Sequence, residues 1–155
     1  MGKEIVRQES PDQPGKRSRL WCPEDIIQVL EENEGTDRIQ IIILECQNYV
    51  IEWDGMAFKQ MSNLKTLIVR DGNFTIGPKH LPNSLRVLEW WEYPSPSLPS
   101  DFHPKKLVTL QLPRSCLMSL DLFMYNKKFG SLGTTAAVVA YLPEVTSSSH
   151  VISLQ

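Results

Sequence analysis

The sequence is poor in cysteine, nearly balanced in charge and without a long apolar run, and each scarcity removes a class of function. Its cysteines, Cys22, Cys46 and Cys116, stand far apart. No Cys-x-x-Cys or Cys/His cluster gathers metal ligands, so no metal site is expected. Sparse, unpaired cysteine fits a reducing compartment with free thiols. The formal net charge is -2, which argues against a nucleic-acid binder while leaving room for a local basic patch. The N-terminal stretch MGKEIVRQESPDQPGKRSR is charged and has no apolar core, unlike a secretory signal. Val6 stands where N-myristoylation wants Ser or Thr. The least polar run, Leu132 to Leu142, is about half the length of a membrane span.

Catalytic groupings are equally scarce. His80, His103 and His150 have no Ser or Cys partner in a nucleophile motif. The carboxylates are scattered, and Glu31, Glu32 and Glu34 read as a solvated face at a helix end. Lys16, Arg17 and Arg19 form a short basic run without interleaved aromatics, which reads as a solvated loop. No enzyme activity is expected.

What is present is a repeat. The hexapeptides IQIIIL, LKTLIV, LRVLEW and LVTLQL share the order apolar-x-x-apolar-x-apolar, with triplets Ile39/Ile42/Leu44, Leu64/Leu67/Val69, Leu85/Leu88/Trp90 and Leu107/Leu110/Leu112. Their spacings are 64−39 = 25, 85−64 = 21 and 107−85 = 22, inside the leucine-rich-repeat range. Each unit predicts a short strand, and the strands stack in parallel. Side chains alternate along a strand, so the second and third members of each triplet point inward. The pair in LEWWEY separates accordingly: Trp90 is inward, and Trp91 is outward. The outward positions form ladders across the strands: Ile41, Thr66, Val87 and Thr109; Ile43, Ile68, Glu89 and Gln111; Glu45, Arg70, Trp91 and Pro113. The candidate binding face is Ile43, Glu45, Thr66, Ile68, Arg70, Val87, Glu89, Trp91, Thr109 and Gln111, since stacked repeats bind partners on such a concave surface.

Ahead of the repeats, CPEDIIQVLEENEGT predicts a helix with Pro23 at its first position, Glu24 and Asp25 in the first turn, an apolar face of Ile26, Ile27 and Leu30, and a stop at Gly35. A short strand is expected at Arg19-Leu20-Trp21. GMAFKQMSNL predicts about two helical turns, with Phe58 and Met61 beneath Leu64. The proline-studded YPSPSLPSDFHPKK predicts an extended, turn-rich connector. A fifth unit at the same spacing begins near Leu132, but Thr135 and Ala137 occupy its apolar positions, and TSSSHVISLQ reads as a frayed tail.

The phrases MGKEIVRQESPDQPGKRSRLW, EDIIQVLEENEGTDRIQIIIL and LPNSLRVLEWWEYPSPSLPSDFHPKKL resemble plant intracellular disease-resistance proteins of the TIR-NB-ARC-LRR class, with wording closest to legume members. The resemblance covers residues 1 to 123. It implies an α/β chain in four parts. Residues 1–21 would be the remnant of the NB-ARC winged-helix region, and 22–38 the linker helix. Residues 39–127 would be a short leucine-rich-repeat solenoid of about four parallel repeats, and 128–155 a divergent, poorly ordered tail. It further implies a protein-interaction segment in defence signalling, cytoplasmic or nuclear, whose partner is the receptor's own nucleotide-binding module or a pathogen effector, with no nucleic-acid or membrane partner. The family's TIR domain and phosphate loop are not in this sequence, so no ADP or ATP cofactor and no NAD cleavage are expected of it. The alternatives are a truncated, decoy product of a resistance gene and a TIR-type NAD hydrolase fragment without its catalytic domain.

Overall fold

Two apolar residues separated by one position on a strand share a face, and a third placed three residues earlier can reach the same side. Repeated at near-constant spacing, this triplet produces a stack of parallel strands with one buried face. The computed structural model of the chain describes residues 10–115 and 117, together with the backbone of 137–140 and 150–153. The expectations for Val6, for Cys116 and for the rest of the tail lie outside the described residues.

In chain order the elements are β1 (Arg19–Leu20), α1 (Pro23–Glu31), β2 (Ile41–Glu45), β3 (Val50–Ile51), β4 (Thr66–Arg70), β5 (Asn73–Phe74), β6 (Val87–Trp90), β7 (Thr109–Leu112), β8 (Ala137–Ala140) and β9 (His150–Ser153). Strands β1, β2, β4, β6 and β7 are neighbours in that order, all parallel. Level with one another stand Ile42, Leu67, Leu88 and Leu110. The inward set Ile42, Leu44, Leu67, Val69, Leu88, Trp90, Leu110 and Leu112 is buried throughout, as are the leading residues Ile39, Leu64, Leu85 and Leu107.

The same hydrogen-bond stitch opens every rung. The Ser18 carbonyl accepts the N–H groups of Gln40 (2.8 Å) and Ile41 (3.3 Å), and Gln40 in turn accepts those of Lys65 (2.8 Å) and Thr66 (3.1 Å). Lys65 accepts Arg86 (2.8 Å) and Val87 (3.0 Å), and Arg86 accepts Val108 (2.7 Å) and Thr109 (3.1 Å). The series therefore begins at Ser18, one rung before the first apolar triplet. Because 18+22 = 40 and 17+22 = 39, Arg17 stands where later rungs carry Ile39, Leu64, Leu85 and Leu107.

This corrects the reading of Arg17 as part of a solvated loop. Its residue is 4% exposed, and burial of a guanidinium demands partners. Nη1 contacts Asp25 Oδ2 at 2.6 Å, Nε donates to the Ser10 carbonyl and Nη2 to the Pro11 carbonyl, both at 2.8 Å. Lys16 and Arg19 are exposed, as expected.

Helix α1 starts at Pro23 and buries Ile26, Val29 and Leu30, while Ile27 is only partly covered. Val29, not Ile27, completes the buried stripe, being three residues from Ile26 on the helix surface. The helix stops at Asn33, which takes a left-handed φ of 55°. The Glu34 N–H reaches back to the Val29 carbonyl at 3.1 Å, closing the C-terminus in the Schellman manner. Gly35 serves a different need from the expected stop: a Cβ there would collide with Met61 Cε.

The connectors build the rest of the core. Ala57–Gln60 forms a single 3-10 turn rather than two helical turns, yet it still buries Phe58, with Met61 and Leu64 behind it. β3 and β5 pair in parallel as a separate two-stranded sheet. Trp53 packs against Phe58, Phe74 and Trp90 at centroid distances of 5.5, 5.3 and 6.4 Å, and Tyr93 meets Trp90 edge-on at 5.3 Å. Residues 93–106 are free of helix, as the prolines require.

Beyond β7 the spacing departs from expectation. β8 lies parallel to β7 with Val138 level with Leu110, a step of 138−110 = 28 rather than the 25 that placed a unit at Leu132. Ala137 is thus level with Thr109, not with the Leu110 position at which the repeat carries its second apolar residue. β9 pairs antiparallel with β8, within the stretch read as a frayed tail.

Trp90 is fully buried and Trp91 is 37% exposed. Trp90→Ala is expected to cost about 3–5 kcal/mol, the range for an aromatic lost from a core, and Trp91→Ala less than about 1 kcal/mol. Urea denaturation of both variants checks this, and equal losses would contradict the alternation.

Arg17→Ala strands the Asp25 carboxylate and opens the first rung. It should cost about 2 kcal/mol or more, whereas Lys16→Ala should fall within about 0.5 kcal/mol of wild type. The same denaturation experiment separates them.

Candidate outer-face interaction site

The outward residues of the strands line up as the repeat pattern requires. Ile41, Thr66, Val87 and Thr109 are level across β2, β4, β6 and β7, and so are Ile43, Ile68, Glu89 and Gln111. All eight are partly exposed. Glu45 is level with Arg70, and the Trp91 N–H continues the ladder by donating to the Val69 carbonyl at 3.0 Å. All ten candidate residues therefore lie along one face. Pro113 departs from its ladder: it is buried, and its carbonyl accepts the Glu92 N–H at 2.8 Å.

The chemistry of this face changes along the strands. Its first row, Ile41, Thr66, Val87 and Thr109, carries no charge, and its second changes from Ile43 and Ile68 to Glu89 and Gln111. Its last rows carry charge. Arg70 Nη1 contacts Glu45 Oε1 at 2.8 Å. Its Nε and Nη2 grip Glu89 Oε1 and Oε2 at 2.8 and 3.2 Å, a two-pronged contact. The Trp91 indole N–H donates to Glu89 Oε1 at 2.8 Å, and the Arg114 guanidinium lies 5.9 Å from the Trp91 ring centre, within cation–π range. Hydrogen bonds from Arg70 hold Glu89 below the ordinary carboxylate range against the opposing effect of its partial burial, with a further contribution from Trp91. The bonds to Glu89 and then Glu45 raise Arg70. This network ties the exposed Trp91 indole to Glu89 and sets Arg114 against its ring.

The other titratable groups singled out from sequence serve the scaffold. His80 Nδ1 lies 2.8 Å from Asp101 Oδ2, joining two connectors, and the His103 N–H donates to Asn83 Oδ1 at 2.7 Å. Glu31, read as solvated, accepts the Glu52 N–H at 3.0 Å. The side chain of His150 lies outside the described residues. Among the described residues, no three His, Cys, Asp or Glu side chains converge as a metal site; Cys22 and Cys46 are in no disulfide, and the Cys22 thiol donates to Glu24 Oε2 at 2.8 Å. No described helix is long and apolar enough to cross a membrane.

Sequence reasoning found the face and missed its electrostatics. The signal was available in the ladder itself, because Glu45 and Glu89 sit at strand positions that flank Arg70.

Glu89 has its carboxyl 12% exposed, against 43% for the Arg70 side chain. Solvent screening limits the pair to about 1 kcal/mol or less. Because the folded value of Glu89 lies below its ordinary 4.5, its contribution is complete above that pH and is lost as pH falls through the lowered value. Arg70→Gln should therefore destabilise at pH 7, with the gap from wild type closing below about pH 4.5. Denaturation at a series of pH values checks the sign; a gap that widens in acid contradicts it.

Comparison with known proteins places this face in context. No family model matches the chain, and no solved structure matches it. Curated proteins do. The chain is 38% identical over 128 residues to Disease resistance protein RPP2A of Arabidopsis thaliana, covering 77% of this chain and 10% of that protein. It is 35% identical over 144 residues to Disease resistance protein RRS1, covering 77% of this chain and 11% of that protein. It is 39% identical over 131 residues to Disease resistance protein RPS6, covering 77% and 12%. The chain thus spans about a tenth of the length of these relatives, and it is a distant homologue of one segment of plant disease-resistance proteins.

Proposed function

We propose that the chain is the leucine-rich-repeat segment of a plant intracellular immune receptor of the TIR-NB-ARC-LRR class. In this reading the parallel stack is the start of a solenoid, α1 is the linker helix, and the outer face of the strands is a concave protein-binding surface. The observation that carries it is the unbroken ladder of level outward residues, with the exposed Trp91 tied to Glu89 through its indole N–H. An aromatic fixed in place loses little entropy on binding and suits an interface centre. The similarity to disease-resistance proteins supports the defence context.

The partner in this reading is the nucleotide-binding module of the receptor, held inactive by docking, or a pathogen effector. Early repeats lie beside the nucleotide-binding module, which favours the first. The site is cytoplasmic or nuclear. The segment is not an enzyme and carries no nucleotide of its own: Lys16 has no phosphate-cradling loop around it, and Arg17 is consumed by Asp25 and two carbonyls.

The test is co-expression with the nucleotide-binding module encoded in the same gene. Wild type should retain the module on a column, and Trp91→Ala with Arg70→Glu should lose about tenfold or more of it, as for a central interface cluster. Calorimetry with ADP should show no saturable heat. A transcript that lacks nucleotide-binding exons, or micromolar ADP binding abolished by Lys16→Ala, overturns the reading.

A further inference from the structure

The outer face has two rims of opposite character. At the strand ends, Glu45, Asp71, Glu89 and Glu92 outweigh Arg70 and Arg114. The strand starts are basic. Lys65 and Arg86 are themselves the residues whose carbonyls carry the rung-to-rung stitch. Lys16, Arg38 and Lys106 each lie two residues before a stitch position, since 18−2 = 16, 40−2 = 38 and 108−2 = 106. Lys105 adjoins the last. All six are exposed, and among the described residues none takes part in an ion pair. Two acids adjoin this rim among the described residues: Asp37, whose carbonyl accepts Asn63 Nδ2 at 2.9 Å, and Asp101, whose carbonyl accepts Asn83 Nδ2 at 3.4 Å and whose carboxylate lies against His80.

We infer that this strand-start rim is a docking surface for an acidic segment of a partner protein, laid across the rungs. The inference rests on the protein-binding reading above and names the partner's chemistry. Adjacent rungs of a sheet are about 4.8 Å apart, so five rungs present cations along about 19 Å. An extended peptide covers that distance in about six residues, with alternate side chains facing the rim. Val108, exposed beside Lys105 and Lys106, offers one apolar contact within the charged row.

Nucleic acid fits this surface less well. The basic row is narrow, and across the same face stand Glu45 and Glu89, about 10–17 Å away at the strand rise per residue. A duplex wide enough to touch the row brings its second strand of phosphates toward those carboxylates. Among the described residues no exposed aromatic lies on the basic rim to stack a base: Trp91 stands at the acidic end, and Tyr49 follows β2 beyond Glu45. The formal charge of -2 for the whole chain also gives a polyanion no long-range attraction.

The test uses the full chain and a short fluorescein-labelled peptide of glutamates with one leucine, read by fluorescence anisotropy. Binding should weaken as salt rises. Lys65→Glu with Arg86→Glu should reduce it about tenfold or more, and so should Lys105→Glu with Lys106→Glu. Lys59→Glu, an exposed cation on the Ala57–Gln60 connector, should leave it unchanged. Circular dichroism confirms that each variant folds, and at least one exposed pair must do so for the comparison. Absence of peptide binding, indifference to both charge reversals, or tighter binding of a DNA duplex of equal charge overturns the proposal. Absence of peptide binding by the wild-type chain with continued capture of the nucleotide-binding module overturns the rim alone. Absence of both in the wild-type chain overturns the protein-binding reading with it.

Discussion

The structure depends on one constraint: like positions of successive rungs must stack in register. Each strand-start carbonyl binds two consecutive N–H groups of the next strand, from Ser18 to Thr109. That stitch sets the register before the strand proper begins. A slip of one residue would turn Leu67 and Val69 outward and bring Thr66 and Ile68 in. The connectors vary in length, with steps of 25, 21 and 22 between stitched positions 40, 65, 86 and 108. They can do so because their apolar residues fill the space behind the sheet wherever the steps leave it. Phe58, Trp53, Phe74 and Tyr93 fill it around Trp90. Trp90 carries a cost within this cluster, because its buried indole N–H has no hydrogen-bond acceptor among the described residues. An unmade bond of that kind costs about 1–3 kcal/mol, which burial of so large an apolar surface offsets.

How much of this was legible follows from what periodicity can report. Leu64, Leu67 and Val69 announce a rung by side-chain type, and the alternation rule separates Trp90 from Trp91 without any coordinates. Arg17 defeats the same rule. It holds a leucine position in the β1 rung, the edge of the sheet among the described residues, and there a charged group is buried with its donors met by Ser10, Pro11 and Asp25. No pattern of apolar residues can reveal such a substitution. The helix end was misjudged for a related reason: Gly35 has the expected flexibility, but Asn33 comes first and tolerates the left-handed turn. The aromatic connectors were out of reach because Trp53, Phe74 and Tyr93 come together through the fold and share no sequence period. Within the candidate site, the ladder was legible and the Glu45–Arg70–Glu89 network was not, since its distances depend on rotamers.

Rim chemistry follows from the backbone at the strand ends. Asp71, Glu92 and Arg114 have φ of 57°, 55° and 56°, and they occupy equivalent positions, since 71+21 = 92 and 92+22 = 114. The chain leaves each strand through a left-handed residue and turns toward its connector. For a residue other than glycine this conformation costs about 1–2 kcal/mol, and a β-branched side chain fits it poorly. Short polar or long charged side chains are therefore favoured at the corner. The rung of β2 handles the same exit differently: the equivalent position is 71−25 = 46, a cysteine without positive φ, and the left-handed residue is Asn48, φ 65°, two places later. That delay leads directly into β3, which pairs with β5 in the second sheet.

The two ends of each strand thus impose different demands, and the charge distribution follows from them. At the start, the backbone is engaged by the stitch, and the exposed cations take part in no ion pair among the described residues. Cations can accumulate there at the cost of mutual repulsion only, which screening in water keeps small. At the end, the left-handed corner and the strand's last outward position bring acids and arginines of neighbouring rungs together, and Arg70 joins Glu45 to Glu89 across three strands. The acidic end is therefore largely satisfied within the molecule, while the cations of the basic end are in no ion pair among the described residues. A stack of near-identical rungs would by itself present a uniform face, and the left-handed exits of β4, β6 and β7 are what make this face directional.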